Sequence, residues 1–209
     1  MVPLYPLVIL PLFNTLTPLD TKSPVFPLVQ DLAKKLGFPL GKILVIDGST
    51  RSNHSNAFFI GLPFLTKSIV LYDTLLATAT PKEIEAILAH EMGHWKGNHV
   101  VYLLLSGLSQ IALSLTTFLL FLNNAPLLAA FGFPADPTSA SNGPVIISLF
   151  LAANLFSPMS AILHCLSNTL TRALEYNADA FAVKLGESYA VNLKGALVSP
   201  SLCTPHETH

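Results

Sequence analysis

"TATPKEIEAILAHEMGHW", residues 78 to 95, is the stretch on which the rest of the chain turns. Thr80 suits a helix cap, Pro81 suits a first helical position, and Glu83 stands three after the cap. The spacing predicts a helix that starts at Pro81 behind a reciprocal capping box. Ile84, Ile87, Leu88 and Met92 recur at helical spacing and supply its apolar stripe. His90 and His94 are four apart, so both imidazoles project from one face and suit a single metal ion. Glu91 points about 100° round the helix from His90, beside such an ion, where its carboxylate could take a proton from water. The pattern H-E-x-x-H therefore predicts a zinc centre, one Zn2+ per chain, that carries its own base and needs a third ligand from elsewhere.

Two sources of that ligand compete. One continues the pattern as H-E-x-x-H-x-x-G-x-x-H. Gly97 is in place, but residue 100 is valine and the histidine sits one short, at His99. One residue is about 100° of helix, so His99 reads as an interfacial residue near a membrane rather than a ligand. The other source is a glutamate on a later helix, within "TRALEYNADAFAVKLG" (171–186). There Arg172, Glu175 and Asp179 share one helical face, which taken alone is the pattern of a solvated charged surface.

Composition changes that balance. The chain of 209 residues is 51% apolar and only 11% charged, against about 25% charged in soluble proteins. Val100 to Leu122 has no charged residue, and Val145 to Leu166 is comparable, interrupted by Asn154, Pro158 and His164. A membrane span needs about 20 such residues, so the sequence predicts two transmembrane helices forming a hairpin. All 11 Lys and Arg lie outside 123–144, which puts both flanks in the cytosol and the joining loop on the far side. Continued outward at about 1.5 Å per residue, His94 and Glu175 emerge on that same side, ~9 and ~13 Å from their span ends. Glu175 is then the third ligand, and Asp179 an acceptor that holds a ligand imidazole in the right tautomer.

Elsewhere the chain gives less. The net charge of −1 and the lack of a basic stripe argue against nucleic acid, and Cys165 and Cys203 build neither a disulfide framework nor a thiolate site. Residues 1–20 read as the end of a preceding apolar element and its Pro-rich exit. A helix is expected over 28–36, strands over 42–47 and 68–76, and a hairpin or irregular edge strand between them. Residues 123–144 read as turn and coil. The expected class is a mostly α, integral-membrane protein with a small β element. It forms one peptidase-like region: 28–99 carries the β element and the H-E-x-x-H helix, 168–198 the third-ligand helix, and 199–209 a non-matching tail.

"HEMGH" followed by "EYNAD" resembles the integral-membrane metallopeptidases of the M48 type. "PLFNTLTPL", "ILVIDGSTRSNHSNAFFIGLP" and "IVLYDTLL" narrow the resemblance to CAAX prenyl proteases of the Ste24 kind, over residues 10–198. Bacterial HtpX proteases, which act in membrane quality control, share less of these runs. The resemblance implies a zinc metalloendopeptidase of the endoplasmic reticulum or inner nuclear membrane, working on the cytosolic side, that removes the last three residues of prenylated CAAX proteins. By position His90, His94 and Glu175 match the zinc ligands, Glu91 the catalytic base and Asp179 the aspartate behind them. Asn56, Ala57 and Phe58 match an edge segment beside which substrate lies. Arg172 matches one of two adjacent arginines, grouped here with the substrate-binding residues; the second position is Ala173. Members of that family carry further spans and a later His- and Arg-containing segment, so the chain reads as a fragment. The readings that differ are a quality-control protease and an inactive remnant that only binds zinc.

Overall fold

The structure, a computed structural model, describes residues 16–47, 57–60, 66–121, 124–132 and 145–198. Two compact units divide the chain: Met1–Gly97 with Tyr176–His209, and Asn98–Glu175.

The first unit is built on a four-stranded sheet of order β1-β2-β4-β3, comprising β1 (Leu16–Pro18), β2 (Leu40–Ile46), β3 (Ala57–Ile60) and β4 (Lys67–Tyr72). The central strands β2 and β4 are parallel, with Ile43 opposite Ile69 and Ile46 opposite Tyr72. Strand β3 runs antiparallel to β4, Ala57 opposite Leu71, and takes one edge of the sheet. Alternation along β4 sorts its side chains: Ile69 and Leu71 enter the main core, and Val70 enters a smaller cluster with Ile46.

Helix α1 (Val25–Leu36) covers the sheet with Val25, Val29, Leu32 and Ala33, all buried. It begins three residues before the expected start and ends at Gly37, whose left-handed φ of 68° lets its N–H close on Ala33 and Lys34 carbonyls. The strand expected over 68–76 stops at Tyr72, and α2 (Asp73–Thr78) follows at once. The cause is local: the Asp73 carboxylate accepts the Thr74 N–H at 2.8 Å, turning the chain into a helix start that the apolar run conceals.

Helix α3 (Pro81–Lys96) has the predicted cap. The Thr80 side chain accepts from the Glu83 backbone N–H, and the Glu83 carboxylate accepts the Thr80 N–H at 2.8 Å. Its buried residues Ile84, Ala86, Leu88, Ala89, Met92 and Gly93 place α3 in the middle of the unit. It packs on α1, on β3 and on α7 (Glu187–Val198).

The second unit holds α4 (His99–Phe121), α5 (Ala125–Ala130) and the longer part of α6 (Val145–Lys184). Asn98, at φ 52°, ends α3 and lets α4 begin one residue before the expected span. Helix α5 falls in a segment expected to be coil; the Asn124 side chain accepts the Leu127 N–H at 3.0 Å and starts it. Helix α6 runs unbroken for 40 residues, through Pro158, where separate helices over 145–166 and 168–198 were expected. The break falls instead at Gly186, after which α7 begins.

Among the described residues one helix is long and apolar enough to cross a membrane, His99–Leu120, and none of that window is buried by the rest of the protein. The second expected span forms the first half of α6, where Asn154, Ser157, Ser160 and His164 dilute the apolar run.

Candidate metal centre

Helix α3 presents His90 and His94 on one face, their rings edge-on with centroids 4.8 Å apart and their Nε2 atoms 3.1 Å apart. Two nitrogens bound tetrahedrally to one zinc at about 2.0–2.1 Å would stand ~3.3 Å apart, so the pair is spaced for a shared ion. On the other side of the His90 ring, Nδ1 lies 2.8 Å from an Asp179 carboxylate oxygen. A carboxylate there accepts from Nδ1–H, which leaves the Nε2 lone pair facing His94.

Asp179 reaches His90 because α3 and the end of α6 touch backbone to backbone. A Cβ on Gly93 would stand 3.2 Å from both the Cα and the carbonyl oxygen of Ala178, and 3.1 Å from the Phe181 ring. Only a residue without a side chain admits that approach. Ala178 and Ala182 are fully buried in the same crossing.

Glu175 stands one turn before Asp179 on the unbroken helix α6. One ligand atom from each of His90, His94 and Glu175 lies within 4.8 Å of the others, and among the described residues they make up the one such group of three or more. The histidines are half-buried and the glutamate exposed. Two imidazoles and a carboxylate, with a second carboxylate behind one imidazole, form a donor set suited to a zinc-type ion with an open fourth position. The residues present fit a metal.

Glu91 follows His90 on α3 and is half-buried. His99 is buried, 5% exposed, as the first residue of α4, and stands outside the ligand group. Arg172 is exposed on α6, one turn before Glu175. Ala57 is buried and Phe58 half-buried in the edge strand β3, and Asn56 lies outside the described residues.

Strand β3 is held against the metal helix by aromatic contacts that the sequence did not announce. Phe38 meets Phe59 of β3 at 4.8 Å between ring centroids and Trp95, next to His94, at 5.0 Å. A second unforeseen tie joins α7 to α3, where the Tyr189 hydroxyl donates to Glu85 Oε1 at 2.6 Å. Burial first, then Glu85, pushes the phenol's pKa up to about 12. Gly93 was the one legible hint among these: a glycine within a helix costs about 1 kcal/mol and usually has a packing reason.

A histidine pair four apart on one helix, a glutamate from a later helix and an aspartate behind the first histidine make a candidate metal centre of the two-histidine, one-glutamate type. The comparisons agree with that class. Residues 22–206 match peptidase family M48, and the chain belongs to that family. It is 40% identical to CAAX prenyl protease 1 of Saccharomyces cerevisiae over 201 residues, which are 92% of this chain and 44% of that protein. It is 43% identical to the CAAX prenyl protease 1 homolog of Oryza sativa subsp. japonica over 205 residues, 95% of this chain and 44% of the relative. Among solved structures it is similar to the crystal structure of S. mikatae Ste24p, with TM-score 0.76 and 41% identity, covering 95% of this chain and 46% of that one. The chain thus spans a little under half the length of these relatives.

Proposed function

We propose that the chain is the metal-bearing part of a zinc metalloendopeptidase that removes the last three residues of prenylated CAAX proteins. The observation that carries this reading is the convergence of His90, His94 and Glu175 in a chain whose relatives are named CAAX prenyl proteases. His90 and His94 would hold the ion through Nε2 and Glu175 through its carboxylate, while Asp179 keeps the His90 proton on Nδ1. When bound, zinc supplies a Lewis acid for the peptide carbonyl and makes water more acidic. A Glu91 carboxylate oxygen accepts the proton of the attacking water and passes it to the departing amine nitrogen. The edge strand β3, with Ala57 and Phe58, lines up an extended peptide by β-addition, and Asn56, next to it in sequence, is grouped with the same substrate-binding residues. Arg172 offers a guanidinium to a substrate carboxylate.

The same reading places α4 and the first half of α6 in the bilayer of the endoplasmic reticulum, with the metal centre on the cytosolic side. Two features support it. Leu104, Leu108, Leu119 and Leu120 are exposed along α4. Several polar side chains of these helices are satisfied by the carbonyl one turn back: Thr116 to Ala112, Thr117 to Leu113 and Asn154 to Phe150, each at 2.8 Å. A helix in lipid must satisfy its polar groups internally in this way. One peptidase region, crossing the membrane as a hairpin, is the domain organisation that follows.

Glu91→Gln tests the proposal. The amide keeps the shape but cannot accept a proton. Cleavage of a farnesylated CAAX peptide should fall about 10²- to 10⁴-fold, with zinc content unchanged. Loss of zinc together with activity would show that Glu91 is a ligand and the roles are misassigned.

A further inference from the structure

Glu85 and Tyr189 have no role in the chemistry above, yet the Tyr189 hydroxyl on α7 donates to Glu85 Oε1 on α3 at 2.6 Å. Tyr189 lies in the first turn of α7, and Lys35 Nζ of α1 stands 5.8 Å from the centroid of its ring. Three helices therefore meet on one side chain. A phenol with a pKa near 12 keeps its donor proton throughout the physiological range.

Its place in the chain gives it a further consequence. Glu85 precedes His90 on α3, and Tyr189 follows Asp179 on the far side of the turn that ends α6. That turn is tied by its own backbone: Leu185 N–H to Ala182, Gly186 N–H to Val183 and Tyr189 N–H to Gly186, at 3.1, 3.2 and 3.0 Å. Ala182 before the turn and Leu193 after it are both buried in the core. The segment from Asp179 to Tyr189 is thus a short stiff strut, fixed to α3 at both ends. One end is the His90–Asp179 bond beside the Gly93–Ala178 contact, and the other is Glu85–Tyr189. At the first end α3 offers no side chain from Gly93 to interlock with α6, so the second end adds a constraint on register.

We propose that Tyr189 is a positioning residue of the metal centre: its hydrogen bond to Glu85 sets the register of α6 on α3, so that Asp179 stays on His90 Nδ1. This rests on the metal-site reading above. The lever acts through Asp179, which separates it from a merely stabilising contact.

The test is zinc dissociation from the purified full chain, measured with a competing chelator, for Tyr189→Phe alone and combined with Asp179→Asn. Tyr189→Phe should speed zinc loss about three- to tenfold, the scale of coupling between groups in one network. In the Asp179→Asn background the same change should add less than about twofold, because the lever then has nothing to move. Glu85→Gln keeps an acceptor oxygen and should behave nearly as wild type, while Glu85→Leu should match Tyr189→Phe. If Tyr189→Phe fails to fold, the Glu85 pair carries the same comparison with Asp179→Asn. An equal loss with and without Asp179, or no loss at all, would overturn the positioning role while leaving the metal centre intact. A wild-type chain that holds no zinc would overturn the metal reading and this inference together.

Discussion

Helices α3 and α4 are neighbours in sequence, separated by Gly97 and Asn98 alone, and they place the same apolar residues in opposite surroundings. Leu88 of α3 is 0% exposed, wrapped by the sheet and its helices; Leu108 of α4 is 52% exposed. Helix α3 is apolar on a stripe and polar elsewhere, so its burial is directional and leaves His90, Glu91 and His94 on an accessible face. Helix α4 carries no Asp, Glu, Lys or Arg over its 23 residues, and its leucines stay exposed. The difference lies in what accompanies the leucines: charged side chains mark an outer face on α3 and let the opposite face bury, whereas α4 has no charge to mark one.

One substitution made in both helices gives the largest effects. Leu88→Arg puts an unpaired charge in the core and should abolish folding of the first unit, since the cost exceeds about 4 kcal/mol of a marginal stability. Leu108→Arg should leave the first unit folded and its zinc bound, but weaken membrane insertion by about 2.5–3.5 kcal/mol, the cost of arginine near the middle of a span. Circular dichroism and zinc content report the first outcome, and carbonate extraction of membranes the second. If Leu108→Arg inserts as well as wild type, α4 does not face lipid and the comparison fails.

The next effects sharpen the contrast at the junction of the two helices. Glu175→Ala should weaken zinc retention by more than about 100-fold, because a three-ligand centre loses its charged donor. Asp179→Asn should cost roughly 10- to 100-fold, as expected for a group that orients a ligand imidazole. His99→Ala should change zinc binding by less than about twofold, since His99 belongs to α4 and stands outside the ligand group. Chelator competition measures all three. The order is the claim: a chain that loses its metal with His99→Ala and keeps it with Glu175→Ala would belong to the other arrangement, in which a histidine follows the glycine.

Local chemistry was legible in the sequence, and long-range contact was not. The Thr80–Glu83 box, the helix end at residue 36 and the His90–His94 spacing each depend on residues within a turn or two, and the structure places all three as read. Glu175 was reached by supposing that two apolar runs of similar length bring two distant segments to one level, and its carboxylate does lie within 4.8 Å of the ligand atoms of His90 and His94. The strand over 68–76 was read too long because the apolar run outlasts Tyr72, while one carboxylate at Asp73 switches the backbone. Helix α6 was divided after Leu166 because the apolar run ends there, whereas the backbone continues as helix to Lys184. Pro158 removes one hydrogen bond, and the turns on either side carry the helix through. Tyr189–Glu85 and Phe38–Trp95 left no trace, since a single partner far along the chain imposes no period.

The smallest expected effect is the cleanest form of the comparison, because the same substitution should change sign between the two helices. Gly93 and Gly107 both lie inside helices, where alanine is intrinsically better by about 0.5–1 kcal/mol. At Gly107 a Cβ would meet nothing within 4 Å, so Gly107→Ala should keep that gain and leave zinc binding unchanged. At Gly93 the new methyl would press on the Ala178 backbone at 3.2 Å, and backbone, unlike the end of a side chain, yields only if α6 moves away from α3. That movement lengthens the 2.8 Å contact between Asp179 and His90. Gly93→Ala should therefore lose about 1–2 kcal/mol of stability despite the better helix former, and zinc should dissociate a few-fold faster, in the direction of Asp179→Asn but short of it. Thermal unfolding with and without chelator separates the two contributions. If Gly93→Ala is as benign as Gly107→Ala, the close crossing of α3 and α6 does not hold the metal centre together, and His90 must be oriented by other means.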